Sequence, residues 1–195
     1  MLANALDFLI RNLAEFFILV LLIRFYLQAG RVSFKHPVGQ FVLALTNWIV
    51  LPVRRVVPPW RNLDTASLLL AWVCAFLMHL ILLAITPWPF IFGSPLSIVA
   101  LVLAAALELF KMSLYLLFAA TIGQALMSWI APYNPMMPVL EGITGPFLRP
   151  LRRMIPTVGG IDITPLILIL IIQLLLGVVV ASLEPYILQN VRIAT

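Results

Sequence analysis

Long apolar runs alternate with short polar segments along this chain, and the prolines fall in the polar segments. Four runs without proline are each long enough to cross a bilayer, which takes about 20 apolar residues. They cover residues 8–29, 66–86, 96–130 and 166–183. This pattern predicts an all-α membrane protein with four transmembrane helices.

The third run is too long for one simple crossing, because at 1.5 Å per residue it extends about 50 Å. Glu108 and Lys111 divide it and, three residues apart on one helix face, are expected to neutralise each other. Residues 112–130 are a good crossing, whereas residues 96–107 lie shallow, re-enter the membrane or extend a tilted helix. These three alternatives stay open.

The composition excludes a soluble globular protein, because 64% of the 195 residues are hydrophobic and only 10% are charged. One cysteine, Cys74, allows neither an internal disulfide nor a cysteine metal cluster. Twelve basic residues against seven acidic ones give a net charge of +5.

The basic residues concentrate in two of the three connections, while residues 87–95 carry no charge. Short loops rich in Lys and Arg stay in the cytoplasm. Both basic loops are therefore expected on the cytoplasmic side, with both termini outside. An extra crossing over residues 96–107 would place the two basic loops on opposite sides, so we favour four crossings.

The chain repeats itself at an offset of 98 residues. The matched pairs are Pro37 and Pro135, Thr46 and Thr144, Pro52 and Pro150, Arg54-Arg55 and Arg152-Arg153, Pro58 and Pro156, Asp64 and Asp162, and Leu68 and Leu166. Shared hydrophobicity does not explain them, because all but the leucine pair are prolines or polar residues. The chain is thus read as a tandem duplication, residues 1–90 and 91–195, with both copies in the same orientation.

Each copy contains Pro-x-Arg-Arg-x-x-Pro and, farther on, an aspartate just before the next crossing. The prolines are expected to keep the arginine pair out of a regular helix, at the membrane surface. Asp64 and Asp162 can cap the following helix or pair with the arginines. The apolar segments upstream, such as residues 38–49, predict short interfacial or re-entrant helices in the basic loops.

At these residues the chain resembles the YggT family, whose members carry one or two copies of such a repeat. The second copy matches best, with Gln124, Ser128-Trp129, Asn134-Pro135, Thr144, Pro150, Arg152-Arg153, Pro156, Gly159-Gly160, Asp162 and Pro165. The first copy departs from the pattern, with Arg24 and Gln28 upstream, His36-Pro37 for Asn-Pro, and Arg61-Asn62 for the glycine pair.

The resemblance implies a multi-pass protein of the bacterial cytoplasmic (inner) membrane. Members of the family are linked to osmotic or ion stress tolerance, to cell division and nucleoid organisation, and in photosynthetic lineages to haem attachment on a cytochrome. These links are implied by the resemblance alone.

The arginine pairs have two interpretations. In the simpler one they set orientation and anchor to lipid phosphates. In the sharper one they bind an anionic headgroup or an acidic partner segment together with the aspartates. The candidate partner- or lipid-binding residues are Arg54, Arg55, Asp64, Arg152, Arg153 and Asp162, shaped by Pro52, Pro58, Pro150 and Pro156.

Five polar residues lie inside predicted crossings: Arg24, Gln28, His79, Gln124 and Ser128. Arg24 either snorkels to the nearby surface or pairs with a polar group of another helix, such as Gln124 or Ser128. For His79, a hydrogen bond between helices is favoured over haem ligation.

The sequence contains no catalytic constellation and no phosphate-binding loop, so we expect no enzyme activity, cofactor or metal, and no nucleic-acid binding. The favoured function is a non-enzymatic assembly or scaffold factor whose partners are lipids, another membrane protein or further copies of the chain. The alternative is a small channel or transporter component lined by Thr121, Gln124, Ser128, His79 and Gln173.

Overall fold

The computed structural model describes residues 2–61, 63–85, 95–131, 133–155 and 162–192. The helices are α1 (Leu2–Ala29), α2 (Pro37–Arg54), α3 (Thr65–Ile85), α4 (Pro95–Ile130), α5 (Met137–Met154), α6 (Thr164–Leu174) and α7 (Ala181–Arg192). A π-helical segment (Leu175–Val180) joins α6 directly to α7. Within those ranges the only β structure is an isolated bridge between Trp60 and Leu63.

Three helical segments are long and apolar enough to cross a membrane: Thr65–Ile85, Ser97–Ile130 and Thr164–Ile187. The prediction of an all-α membrane protein is confirmed to that extent. The first predicted crossing falls on α1, which is 28 residues long and carries Asp7, Arg11, Glu15 and Arg24. A fourth crossing there stays a prediction.

The third apolar run forms one uninterrupted helix, α4, of 36 residues. Of the three alternatives for residues 96–107, the structure selects the extension of the helix. Leu and Ala dominate this segment, and both have high helix propensity. Glu108 and Lys111 cause no break because they pair on the helix surface, with Lys111 Nζ 2.8 Å from Glu108 Oε2.

The basic loops contain helices α2 and α5, of 18 residues each. Contrary to the sequence-based expectation, prolines do not keep the arginine pairs out of these helices. Pro52 lies inside α2, which ends at Arg54, and Pro150 lies inside α5, whose last turn contains Arg152 and Arg153. The φ angle that proline fixes is close to the helical value, so near a helix end its main cost is one lost hydrogen bond.

Pro58 follows α2 in the connection to α3, where its carbonyl accepts a hydrogen bond from the hydroxyl of Thr65 at 2.9 Å. Pro156 and Gly159-Gly160 lie outside the described residues, as does most of the uncharged 87–95 connection.

The two halves of the chain have similar internal packing and share one apolar core. In the first half α1 packs on α3, and in the second half α4 packs on α6 and α7. Contacts of α3 with α4, and of α1 with α4 and α5, join the halves. The Tyr26 and Phe147 rings, 6.4 Å apart, lie at the contact between α1 and α5.

Backbone atoms approach closely where the end of α1 meets α5. A Cβ atom added to Gly30 would lie 2.8 Å from Cα of Gly142, and one added to Gly142 would overlap the side chain of Val32. Only glycine at both positions allows the two halves to approach this closely.

We therefore expect Gly142→Val to destabilise the protein by about 1–3 kcal/mol, the usual cost of overpacking a core. Gly177→Val is a control for side-chain size within the second half, since a Cβ there meets nothing within 4 Å. Thermal unfolding in detergent measures the difference. Equal melting temperatures for the two variants would contradict the close approach of α1 and α5.

Candidate functional site

A closed charged cluster lies between α1, α2 and the start of α3. Arg24 is only 1% exposed. Its Nη1 donates to Oγ1 of Thr46 at 2.6 Å and to Oδ1 of Asn47 at 2.9 Å, and its Nε donates to Oδ2 of Asp64 at 3.2 Å. The guanidinium thus ties three segments of the first half together.

Asp64 is the acceptor at the centre of this cluster, and its side chain is fully buried. Arg54 donates to both of its oxygens, with Nε 3.1 Å from Oδ1 and Nη2 bonded to Oδ2. The Ser67 hydroxyl donates to Oδ2 at 2.6 Å. Arg54 Nη2 also donates to Oε1 of Gln28 at 2.7 Å.

The environment of Asp64 keeps its carboxylate ionised. Burial alone would raise the pKa of Asp64. The hydrogen bonds from Arg54 and Ser67, together with the positive charges of Arg54 and Arg24, outweigh burial and hold that pKa below its usual value. Asp64 therefore stays the counter-ion of two arginines at neutral pH.

The corresponding cluster of the second half is more open. Arg152 Nε donates to Oδ2 of Asp162 at 2.9 Å, but the two side chains are 47% and 35% exposed. The Oδ1 atom of Asp162 accepts from the backbone N (3.0 Å) and the hydroxyl (2.6 Å) of Thr164. Nearby, Oε1 of Gln124 on α4 accepts a hydrogen bond from the hydroxyl of Thr144 on α5.

The threonine contacts show which helix residues correspond. Arg24 contacts Thr46, and Gln124 contacts the matching Thr144. On the first helix of each half the offset is therefore 100 residues rather than 98, because the segment from Gln124 to Pro135 is two residues shorter than its counterpart. By the same offset Ser128 corresponds to Gln28. Shorter, uncharged side chains thus replace the arginine and the glutamine of the first half.

A cleft of about 560 Å³ lies where these side chains are shorter. Its polar wall is formed by Gln124, Ser128, Arg152 and Asp162, and the rest of it by Ala125, Trp129, Ile163, Pro165, Leu166 and Ile169. The second half therefore presents an open, amphipathic cleft where the first half has a closed cluster.

Several sequence expectations about these residues can now be compared with the geometry. Pairing of the aspartates with the arginines is confirmed in both halves. Arg24 does not snorkel, and the alternative that it pairs with a polar group of another helix is confirmed by its bonds to α2. The suggested partners Gln124 and Ser128 are wrong, because α2 and Asp64 supply nearer acceptors within its own half. Asp162 also accepts from the backbone N of Thr164, the first residue of α6, as expected for a residue that caps this helix.

A second polar cluster joins the halves at the other end of the helices. Lys111 Nζ lies 2.8 Å from Glu108 and 3.1 Å from Glu184. Glu184 was missed by the sequence analysis, because no motif surrounds it. His79 Nε2 is 3.9 Å from Oε2 of Glu108, too far for the expected hydrogen bond between the two helices. These four side chains line a cavity of about 10 Å³.

The remaining predicted residues do not converge. Arg55 and Arg153 are exposed at the ends of α2 and α5. Thr121 is buried and donates to the carbonyl of Leu117, while Gln173 is exposed on α6. No set of three His, Cys, Asp or Glu side chains in the described part of the chain is arranged to hold a metal.

Long apolar helices with buried ion pairs at their ends are typical of a helical membrane protein. The model of the CCB3/YggT family matches residues 3–85 and again residues 98–183. The chain belongs to the CCB3/YggT family, and the two matched segments agree with the tandem repeat.

The similar proteins cover most of their own length and most of this chain. An uncharacterised YggT protein of Escherichia coli is 34% identical over 174 residues, 88% of this chain and 87% of the relative. An uncharacterised protein of Vibrio alginolyticus is 33% identical over 171 residues, 87% of this chain and 90% of the relative. One of Pseudomonas aeruginosa is 30% identical over 182 residues, 92% and 90% respectively. No solved structure matches the chain.

Proposed function

We propose that this is a non-enzymatic protein of the bacterial cytoplasmic membrane that helps to assemble or scaffold another membrane protein. It crosses the membrane four times, with both termini outside and α2 and α5 at the cytoplasmic surface. The two clusters of charge support this topology, because Asp64 and Asp162 precede the crossings α3 and α6 at the same end of the helices. The concentration of arginines beside them agrees with the positive-inside rule.

The observation that carries the docking role is the difference between the two halves. The charged groups of the first half satisfy one another. Arg24 and Asp64 are buried and Arg54 is 28% exposed, so Arg54 and Asp64 contribute stability rather than binding. In the second half, the corresponding Arg152 and Asp162 are accessible at the wall of the cleft. A partner that binds to accessible polar groups would therefore bind to the second half of the chain.

Exposed arginines on α5, the helix that carries Arg152 of the cleft wall, supply further positive charge. Arg149, Arg152 and Arg153 are all exposed on α5. Arg149 and Arg153 do not line the cleft, and they can attract acidic lipid headgroups or acidic segments of a partner at the membrane surface next to it. The first half offers Arg55 as its exposed equivalent.

Photocrosslinking in living cells tests this role directly. A photoreactive residue at Arg153, beside the open cleft, is compared with one at Arg55, beside the closed cluster. We expect a membrane protein to be captured at position 153 and much less of it at position 55. Capture of the same products at both positions, or of lipid alone, would contradict a docking site in the second half.

Replacing arginine by lysine separates charge from geometry. We expect the double substitution Arg152→Lys and Arg153→Lys to preserve insertion and abundance but to reduce crosslinking from position 149 about tenfold, since lysine lacks the planar fork of guanidinium. The matched Arg55→Lys variant should have a smaller effect. Full capture by the double variant would show that positive charge alone is enough.

A channel is the second candidate, and the His79, Glu108, Lys111 and Glu184 cluster is the observation in its favour. The cluster is polar, and all its members except Glu184 lie within the long apolar runs. However, Lys111 bridges the two glutamates and the cavity has room for about one water molecule. We expect purified protein in liposomes to give no ion flux. Flux above that of empty liposomes would favour the channel.

A further inference from the structure

The cleft of the second half lacks one cation that the first half possesses. Asp64 is bound by two arginines, from α1 and from α2. Asp162 is bound by one arginine, and the position of Arg24 is taken by the uncharged Gln124. The first half of this chain thus contains a carboxylate bound by two guanidinium groups, and the second half contains the equivalent carboxylate bound by only one.

We propose that the cleft binds an arginine side chain carried by a hydrophobic helix of a partner membrane protein. This inference rests on the proposed docking function and names the chemistry that would be recognised. The partner arginine would stand in for Arg24, and its guanidinium would complete the second cluster as Arg24 completes the first.

The polar wall of the cleft provides acceptors for a guanidinium. The carboxylate of Asp162 is one-third exposed and accepts from a single arginine. The Ser128 hydroxyl can accept while it donates to the carbonyl of Ala125. Trp129 is 82% exposed beside these groups, and its ring face attracts cations.

The apolar wall of the cleft explains why the arginine should be carried by a hydrophobic helix. Ile163, Pro165, Leu166 and Ile169 make this wall apolar along the first turns of α6. The cleft, at about 560 Å³, is larger than one guanidinium needs, so apolar side chains of a partner helix can pack against α6 beside the charge. A small soluble cation would leave that wall uncovered.

The partner is not a second copy of this chain presenting Arg24. In each copy Arg24 is 1% exposed and already bonded to Thr46, Asn47 and Asp64. Releasing it would leave Asp64 buried beside a single arginine, which costs several kcal/mol.

The test uses synthetic transmembrane peptides of about 22 residues, made of Leu and Ala, with one position occupied by Arg, Lys or Leu. Binding to the full-length protein in liposomes is measured by energy transfer from a dye on Tyr133→Cys in a Cys74→Ala background. We expect the Arg peptide to bind about tenfold more tightly than the Leu peptide, which corresponds to a hydrogen bond between charged groups. The Lys peptide should be intermediate.

Two variants of the chain test the assignment of the cleft. Gln124→Arg supplies the missing guanidinium from within and should abolish the preference for the Arg peptide. Gln124→Met, a neutral change of similar size, should retain it. Asp162→Asn removes the negative charge without filling the cleft and should also abolish the preference.

The proposal that the cleft binds an arginine is contradicted if the Arg and Leu peptides bind equally, or if the Asp162→Asn variant still prefers the Arg peptide. Preferential co-purification of an amine-headgroup lipid that the Arg peptide cannot displace would likewise overturn it. If one of these results were obtained while position 153 still captured a protein, the docking function would stand and only the arginine proposal would be contradicted. Loss of both signals would also remove the docking function.

Discussion

Asp64→Asn is expected to lower the thermal stability of the purified protein more than any other single change in the charged clusters. Asn keeps the size of the side chain but removes the negative charge between Arg24 and Arg54. Arg24, at 1% exposure, would then be a buried cation without a counter-ion. Breaking a buried ion pair in this way costs about 3–5 kcal/mol.

The matched control is the equivalent change in the second half, Asp162→Asn. Its carboxylate is 35% exposed and its arginine 47% exposed, so water can replace much of what is lost. We expect a cost of about 1 kcal/mol or less. Melting temperatures in the same detergent compare the two variants. Equal losses would show that the two clusters do not differ in burial as described.

Lys111→Met is expected to have the second largest effect. Lys111 Nζ contacts both Glu108 and Glu184, and the Glu108 side chain is only 3% exposed. Without the lysine, Glu108 is left as a buried anion next to His79. A loss of about 3–5 kcal/mol is expected, because the removed partner leaves an uncompensated charge.

The double variant Lys111→Met and Glu108→Gln distinguishes this cause from a loss of packing. If the uncompensated charge is responsible, the double variant should recover much of the stability that the single variant lost. Thermal unfolding of the wild type, both single variants and the double variant completes the cycle. Additive losses would mean that Lys111 acts through its alkyl chain rather than its charge.

Part of this molecule could be predicted from its sequence, because long apolar runs and repeated polar residues are local signals. Helices α3 and α4, the pairing of Asp64 with Arg54 and the pairing of Glu108 with Lys111 follow from spacing along the chain.

The backbone conformation at the prolines was harder to predict. A proline in the sequence usually predicts the end of a helix, but α2 continues through Pro52 and α5 continues through Pro150. Each internal proline removes one of the many hydrogen bonds along an 18-residue helix, and packing on the core stabilises the rest. Local preference was therefore outweighed by tertiary contacts.

The difference between the halves could not be predicted from the offset of 98 residues. That offset pairs Arg24 with Ile122, whereas the threonine contacts pair it with Gln124. The resemblance set Arg24 and Gln28 against Gln124 and Ser128, and the threonine contacts confirm this correspondence, with two residues fewer between Gln124 and Pro135. The cleft follows from this substitution. Six of its ten lining residues belong to the family pattern of the second copy, but the sequence alone does not show that they enclose a cleft.

The central claim is that the two halves contain a closed and an open version of one site at the cytoplasmic surface. Serine lies at both: Ser67 is fully buried against Asp64, and Ser128 is exposed in the cleft. Each can be changed to cysteine with little change in size, in the Cys74→Ala background that removes the one native thiol.

The most direct measurement is labelling of these two cysteines with a membrane-impermeant maleimide in inside-out membrane vesicles, where the cytoplasmic face is accessible. We predict rapid labelling at position 128 and protection at position 67 until the protein is denatured. Equal labelling at the two positions would contradict the closed and open clusters, and labelling of position 128 only from the outer face would contradict the proposed topology.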